Sequence, residues 1–119
     1  MSYAALLTGG LAGVLARYGA SRALAPGALP WATLAVNLAG CFLAGLFDEA
    51  ARRRGWGGAH GRLLLLTGFC GAFTTFSALI LELDVMARSS PSRAAGYVIL
   101  SVAAGLALLR LGAAAGRLA

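Results

Sequence analysis

Lysine is missing from this chain of 119 residues; all ten basic residues are arginine. Charge of either sign is scarce, at 12% of residues against about 25% in ordinary soluble domains. With 60% hydrophobic residues and a mean hydropathy of +0.81, that shortage argues against a soluble monomer. The two cysteines, Cys41 and Cys70, form no CxxC pair and have no histidine beside them, so they read as small buried hydrophobes. The lone histidine, His60, sits in a glycine-rich stretch without an evident partner. No nucleophile–base pair, metal-ligand cluster or phosphate loop is present, and the expectation is a protein that is not an enzyme. The N-terminus lacks a basic stretch before its first apolar run, so no cleaved signal peptide is expected. A net charge of +6 would suit nucleic acid, but the arginines are scattered between apolar runs and form no continuous patch. They fit a membrane interface instead, and no nucleic-acid partner is expected.

What the chain has in abundance is apolar sequence. A helix crossing a bilayer core needs about 20 apolar residues, and four runs approach that length. They are Tyr3–Ala23, with Arg17 and Arg22 near its far end; Leu29–Phe47, with no charge; Leu63–Leu81, also uncharged and followed by Glu82 and Asp84; and Ala94–Gly112, with Arg110 near its end. Breakers separate them. Pro26-Gly27 and Pro30 lie in the first gap, and Pro30 sits where a helix can begin. Asp48–Gly61 forms the second, with Arg52-Arg53-Arg54 and Gly55, Gly57 and Gly58, and Arg88–Ser92 the third, where Ser90-Pro91 signals helix entry. The expected architecture is all-α: a single four-helix transmembrane domain over residues 1–119.

An even helix count puts both termini on one side with the second gap. That side holds Arg52, Arg53, Arg54, Arg62, Arg110 and Arg117; the other holds Arg17, Arg22, Arg88 and Arg93. Six against four is a weak positive-inside bias. It leaves two readings: one orientation fixed by Arg52–Arg54, or insertion both ways with antiparallel pairing. Glycines four apart, Gly9 with Gly13 and Gly112 with Gly116, allow helices to approach closely.

Polar groups inside such runs are costly when unpaired, so their positions carry information. Asn37 lies near the centre of the second run, either as interhelical glue or as an amide donor facing a polar path. The stretch GFCGAFTTFSAL, Gly68–Leu79, places glycines and hydroxyls in the middle of the third. Either it is a kinked helix whose hydroxyls bond the preceding turn, or it is a true break near the helix middle. A break frees carbonyls that suit cations and N–H groups that suit anions. Glu82 reads as the end of that span, interfacial and open to an arginine partner; Asp84 reads as plainly interfacial. Tyr97, Ser101 and Gly105 recur every four residues and share one helix face.

Gly68–Leu79 resembles the third-helix signature of the Fluc (CrcB) fluoride channel family, GFCGGxTTFS. Gly13 to Arg17-Tyr18 resembles that family's G-x-x-x-R-Y pattern, and Thr33-Leu34-x-Val36-Asn37-x-x-Gly40 its second-helix motif. Tyr97 and Ser101 fit its fourth-helix spacing. The resemblance spans the chain in order and implies a passive, fluoride-selective channel in the cell inner membrane, built as a dual-topology antiparallel homodimer with two pores. It implies a sodium ion on the two-fold axis, held by backbone carbonyls of Gly71 and Thr74. Asn37 would donate to fluoride and Phe76 would turn its positive ring edge to the anion. Thr75, Tyr97, Ser101 and Glu82 would line the polar track, and Arg17 would stand at the vestibule.

Three positions depart from the family pattern. Leu79 occupies the place of a second pore phenylalanine, Ala72 replaces the second glycine, and Gly105 falls where a track hydroxyl is common. The alternative of a different class is a small multidrug-resistance-type, proton-coupled exporter. Such exporters carry an acidic residue in the first helix, and Tyr3–Ala23 has none.

Overall fold

The computed structural model of the chain describes residues 2–25, 27 and 29–119. Its elements are helices throughout: α1 (Ser2–Ala23), α2 (Trp31–Arg54), α3 (Gly58–Arg62), a π-helical segment (Leu63–Cys70), α4 (Gly71–Phe73), α5 (Phe76–Ser89) and α6 (Pro91–Leu118). The third span is thus one rod, Gly58–Ser89, interrupted between α4 and α5. Trp31–Arg54, Gly58–Ser89 and Pro91–Leu118 are long and apolar enough to cross a membrane. At 22 residues α1 has the length but falls short of the other three in hydropathy, because Arg17 and Arg22 sit in its last turns.

The second and third gaps between helices are shorter than the sequence suggests. Asp48–Arg54, expected in a loop, forms the last turns of α2. Arg52 bonds Asp48 and Glu49, and Arg53 bonds Glu49, all at i,i+3 or i,i+4 spacing. Cations in the last turn also suit the helix dipole. The helix stops at Gly55, whose left-handed φ of 63° suits glycine. The third gap contracts to Ser90, whose hydroxyl accepts from the N–H of Arg93 while Pro91 opens α6. Pro30 precedes the first residue of α2, as expected; Pro26 lies outside the described residues.

Two parallel helix pairs make up the bundle. Along α2 and α6, Cys41 lies beside Gly105, Gly45 beside Leu109, and Leu46 beside Gly112 and Gly116. Along α1 and the third span, Gly9 lies beside Leu64 and Phe69, and Gly13 beside Phe69 and Phe73. The expected close approaches are therefore made within the chain. A Cβ on Gly45 or Gly112 would enter the backbone carbonyl of Leu109 or Phe42, so these two crossings need glycine.

The buried apolar side chains are few: Leu34, Val36, Ala50, Cys70, Ala94 and Tyr97. Leu7, Leu11 and Leu15 on α1 and Ile99, Val102 and Leu106 on α6 face outward. Apolar outer faces over a thin, glycine-packed interior are the architecture of an all-α membrane protein.

Candidate functional site

Thr74 (φ −82°, ψ 158°) and Thr75 (φ −150°, ψ 115°) are both extended, so the third span is truly broken. The break rests on diverted donors. In a continuous helix the N–H of Thr75 would bond the carbonyl of Gly71, and that of Ala78 the carbonyl of Thr74. Instead Thr75 N–H donates to Oδ1 of Asn37 at 2.7 Å. Ala78 N–H donates to Oγ1 of Thr75 at 3.2 Å, capping α5. Asn37 also donates from Nδ2 to the Thr75 carbonyl at 3.0 Å. One side-chain amide on α2 thus satisfies both backbone groups of Thr75, as a neighbouring strand would.

The sequence left Asn37 as glue or as donor. The structure shows the glue, and it leaves a donor over, since Nδ2 has a second hydrogen. That amide opens into a groove of about 350 Å³ lined also by Gly71, Thr74, Thr75, Phe76 and Leu79. Cys41, Cys70 and Leu109 complete its apolar wall. Phe76 is 75% exposed, on the outer rim of the chain, with Leu79 half-buried beside it. The N–H groups of Phe76 and Ser77 open α5 with no acceptor among the described residues. They add the positive end of a helix dipole to the same region.

A second cluster lies midway along α5. Glu82 accepts from the hydroxyl of Thr33 at 2.5 Å and from that of Tyr97 at 3.4 Å. Sequence left open an arginine partner for Glu82; no ion pair of Glu82 occurs among the described residues, whereas Asp84 pairs with Arg88 at 2.6 Å. Thr33 escaped the sequence reading as a site residue. It sits four before Asn37, one turn along the same face, and that spacing was the available signal. Tyr97 is 2% exposed, and Oγ of Ser101, one turn further along α6, is buried without a hydrogen-bond partner among the described residues. Arg17 lines a separate, smaller pocket with Ser21, Thr33 and Thr75, on another side of the break. The structure therefore gathers Asn37, Thr75, Phe76, Leu79, Gly71 and Thr74 around one groove, sets Glu82 and Tyr97 in a second cluster, and keeps Arg17 behind Thr75.

The residues at the break also fit a small hard cation. No backbone or side-chain donor among the described residues reaches the carbonyls of Gly71 to Thr74. Free carbonyls at a helix C-terminus carry the negative end of the dipole. Oxygen ligands without a thiol or imidazole select hard cations.

Known proteins match this chain across its length. The family model described as CrcB-like protein, Camphor Resistance (CrcB), covers residues 4–113. A fluoride-specific ion channel FluC of Rhizobium leguminosarum bv. trifolii is 42% identical over 111 residues, 89% of this chain and 88% of that protein. The protein of that name from Nitratidesulfovibrio vulgaris is 42% identical over 115 residues, 93% of each chain. One from Chlorobium phaeobacteroides is 51% identical over 76 residues, 62% of this chain and 59% of its own length. Together with the broken third span and its apolar outer faces, the match over residues 4–113 means that the chain belongs to the CrcB family.

Proposed function

We propose that this protein is a passive, fluoride-selective channel that lets cytoplasmic fluoride leave across the cell inner membrane. The observation that carries the reading is the break itself. Beside one open groove it sets a spare amide N–H on Asn37, free backbone N–H groups at Phe76 and Ser77, and the ring of Phe76. The names of the relatives supply the ion. Fluoride is small and strongly hydrated, so a pore must replace its water with close donors. Amide, hydroxyl and aromatic-edge groups do this without a fixed positive charge that would trap the ion.

In this reading Asn37 and Phe76 bind the anion first, with Leu79 as an apolar wall. Thr75 positions the entry by capping α5, and Ser101, Tyr97 and Glu82 continue the polar route. Arg17 raises the local anion concentration near Thr75. The groove is open on the protomer and its rim is the exposed Phe76, which supports completion of the path by a second copy. An antiparallel homodimer would supply it, with two paths related by the two-fold axis. Gly71 and Thr74 of each protomer would offer four carbonyl oxygens to a sodium ion at that axis; the ion would supply fixed charge that holds the two breaks together. Proton-coupled drug export has no support: α1 carries no Asp or Glu, and the family match lies elsewhere.

The test is efflux from liposomes loaded with fluoride or chloride and read with ion-selective electrodes. Rapid fluoride loss with chloride retained is the expected result. Absence of fluoride efflux from folded, reconstituted protein overturns the reading.

A further inference from the structure

We propose that Asn37 is the positioning residue of the cation site, and that it couples that site to the anion path through a single peptide plane. The inference rests on the sodium reading above. The C=O of Thr74 and the N–H of Thr75 belong to one trans peptide unit, since the described residues contain no cis bond. In such a unit the two groups point in opposite directions. Thr75 N–H is fixed on Oδ1 of Asn37 at 2.7 Å, so the Thr74 carbonyl is aimed away from that side chain. The return bond from Nδ2 to the Thr75 carbonyl, at 3.0 Å, ties the next peptide unit to the same side chain. The same hydrogen bond at Oδ1 removes the helical donor of the Gly71 carbonyl.

One side chain thus frees both carbonyls assigned to the cation: Gly71 by taking its donor, Thr74 by orienting its plane. The spare N–H of that side chain faces the anion. Oδ1 and the Nδ2 pair have separable jobs. Without an acceptor at position 37, Thr75 N–H can return to Gly71 and heal the helix. A carboxylate keeps the acceptor, so it keeps the break and the cation carbonyls, but it offers no donor to fluoride.

The experiment measures thermal unfolding of the full chain in detergent, in sodium against a bulky organic cation such as N-methylglucamine, alongside liposome efflux. Wild type should gain thermal stability in sodium. Asn37→Asp should retain or strengthen apparent sodium affinity while fluoride efflux is lost. Asn37→Ala should lose both, with sodium affinity falling tenfold or more. Wild type without a sodium response overturns the cation site and this inference with it. A wild-type response that persists undiminished in Asn37→Ala overturns the inference alone, as does a weakened response in Asn37→Asp, which decides the question where the alanine variant fails to fold.

Discussion

The hydroxyl of Thr33 donates to Oε1 of Glu82 at 2.5 Å, joining α2 to α5 across 49 positions of sequence. Among the described residues Glu82 has one other partner, the Tyr97 hydroxyl at 3.4 Å. Side-chain hydrogen bonds within membrane proteins contribute about 0.6 kcal/mol on average and up to about 1.7. A short bond to a carboxylate belongs at the upper end. Thr33→Val keeps the shape and removes the donor, so it should lower stability by about 1–2 kcal/mol and slow fluoride efflux by loosening Glu82. Thr33→Ser should restore both. Unfolding in mild detergent and liposome flux check this, and a valine variant as stable and active as wild type would show that the bond is idle.

Phe76 and Leu79 invite opposite substitutions. Phe76 is the ring on the groove rim, and in the channel reading its quadrupole would give the edge that an anion meets. Phe76→Ile keeps apolar bulk and removes that edge, so efflux should fall steeply while folding is retained. Leu79→Phe adds a ring where there is none, and efflux should be preserved or raised. Electrode traces from matched amounts of protein decide both; wild-type flux in Phe76→Ile would refute the role of the ring.

Much of this was legible before any coordinates. Apolar run length located the long helices, three of them long and apolar enough to cross a membrane, and the hydroxyls and glycines of Gly68–Leu79 marked an irregularity while leaving kink and break open. Helix ends were less legible: Asp48–Arg54 reads as a charged loop because hydropathy ends at Phe47, yet i,i+3 and i,i+4 ion pairs carry α2 onward to Gly55. The π-helical winding of Leu63–Cys70 had no signature in an unbroken apolar run. There the Gly71 N–H reaches the Leu66 carbonyl, five residues back, and packing against α1 accompanies it. Which acceptor Thr75 N–H chooses is also tertiary, because Asn37 lies 38 positions away. The dual reading of Asn37 could therefore not be narrowed from sequence.

Glycine has different work on the two faces of α2 and α6. A methyl group on Gly45 would strike backbone at Leu109 and Ala113, and backbone cannot rotate away. Gly96, in the outer face of α6, would meet nothing within 4 Å. Gly45→Ala should cost about 1–3 kcal/mol by overpacking. Gly96→Ala should be neutral or stabilising by up to about 1 kcal/mol, since alanine favours the helix. Thermal unfolding of the two variants side by side checks the contrast; equal effects would mean that α2 and α6 do not cross here.

Glu49 is the hinge of charge at the arginine-rich end. Its side chain is 10% exposed and takes Arg53 at 2.6 Å, Arg52 at 3.0 Å and Arg117 at 3.5 Å. The last contact ties the end of α6 to the end of α2. Removing one member of a fully buried pair costs about 3–5 kcal/mol, but these arginines are more than half exposed and rehydrate when released. Glu49→Gln should therefore lower the unfolding midpoint modestly, a loss that shrinks at high ionic strength as screening weakens the wild-type network. Asp84→Asn is the control. Its pair with Arg88 is 60% and 76% exposed, and its loss should be near zero at any salt. Equal unfolding midpoints for both variants at low salt would show that Glu49 gains nothing from its three partners; a gap that closes as salt rises is the expected outcome.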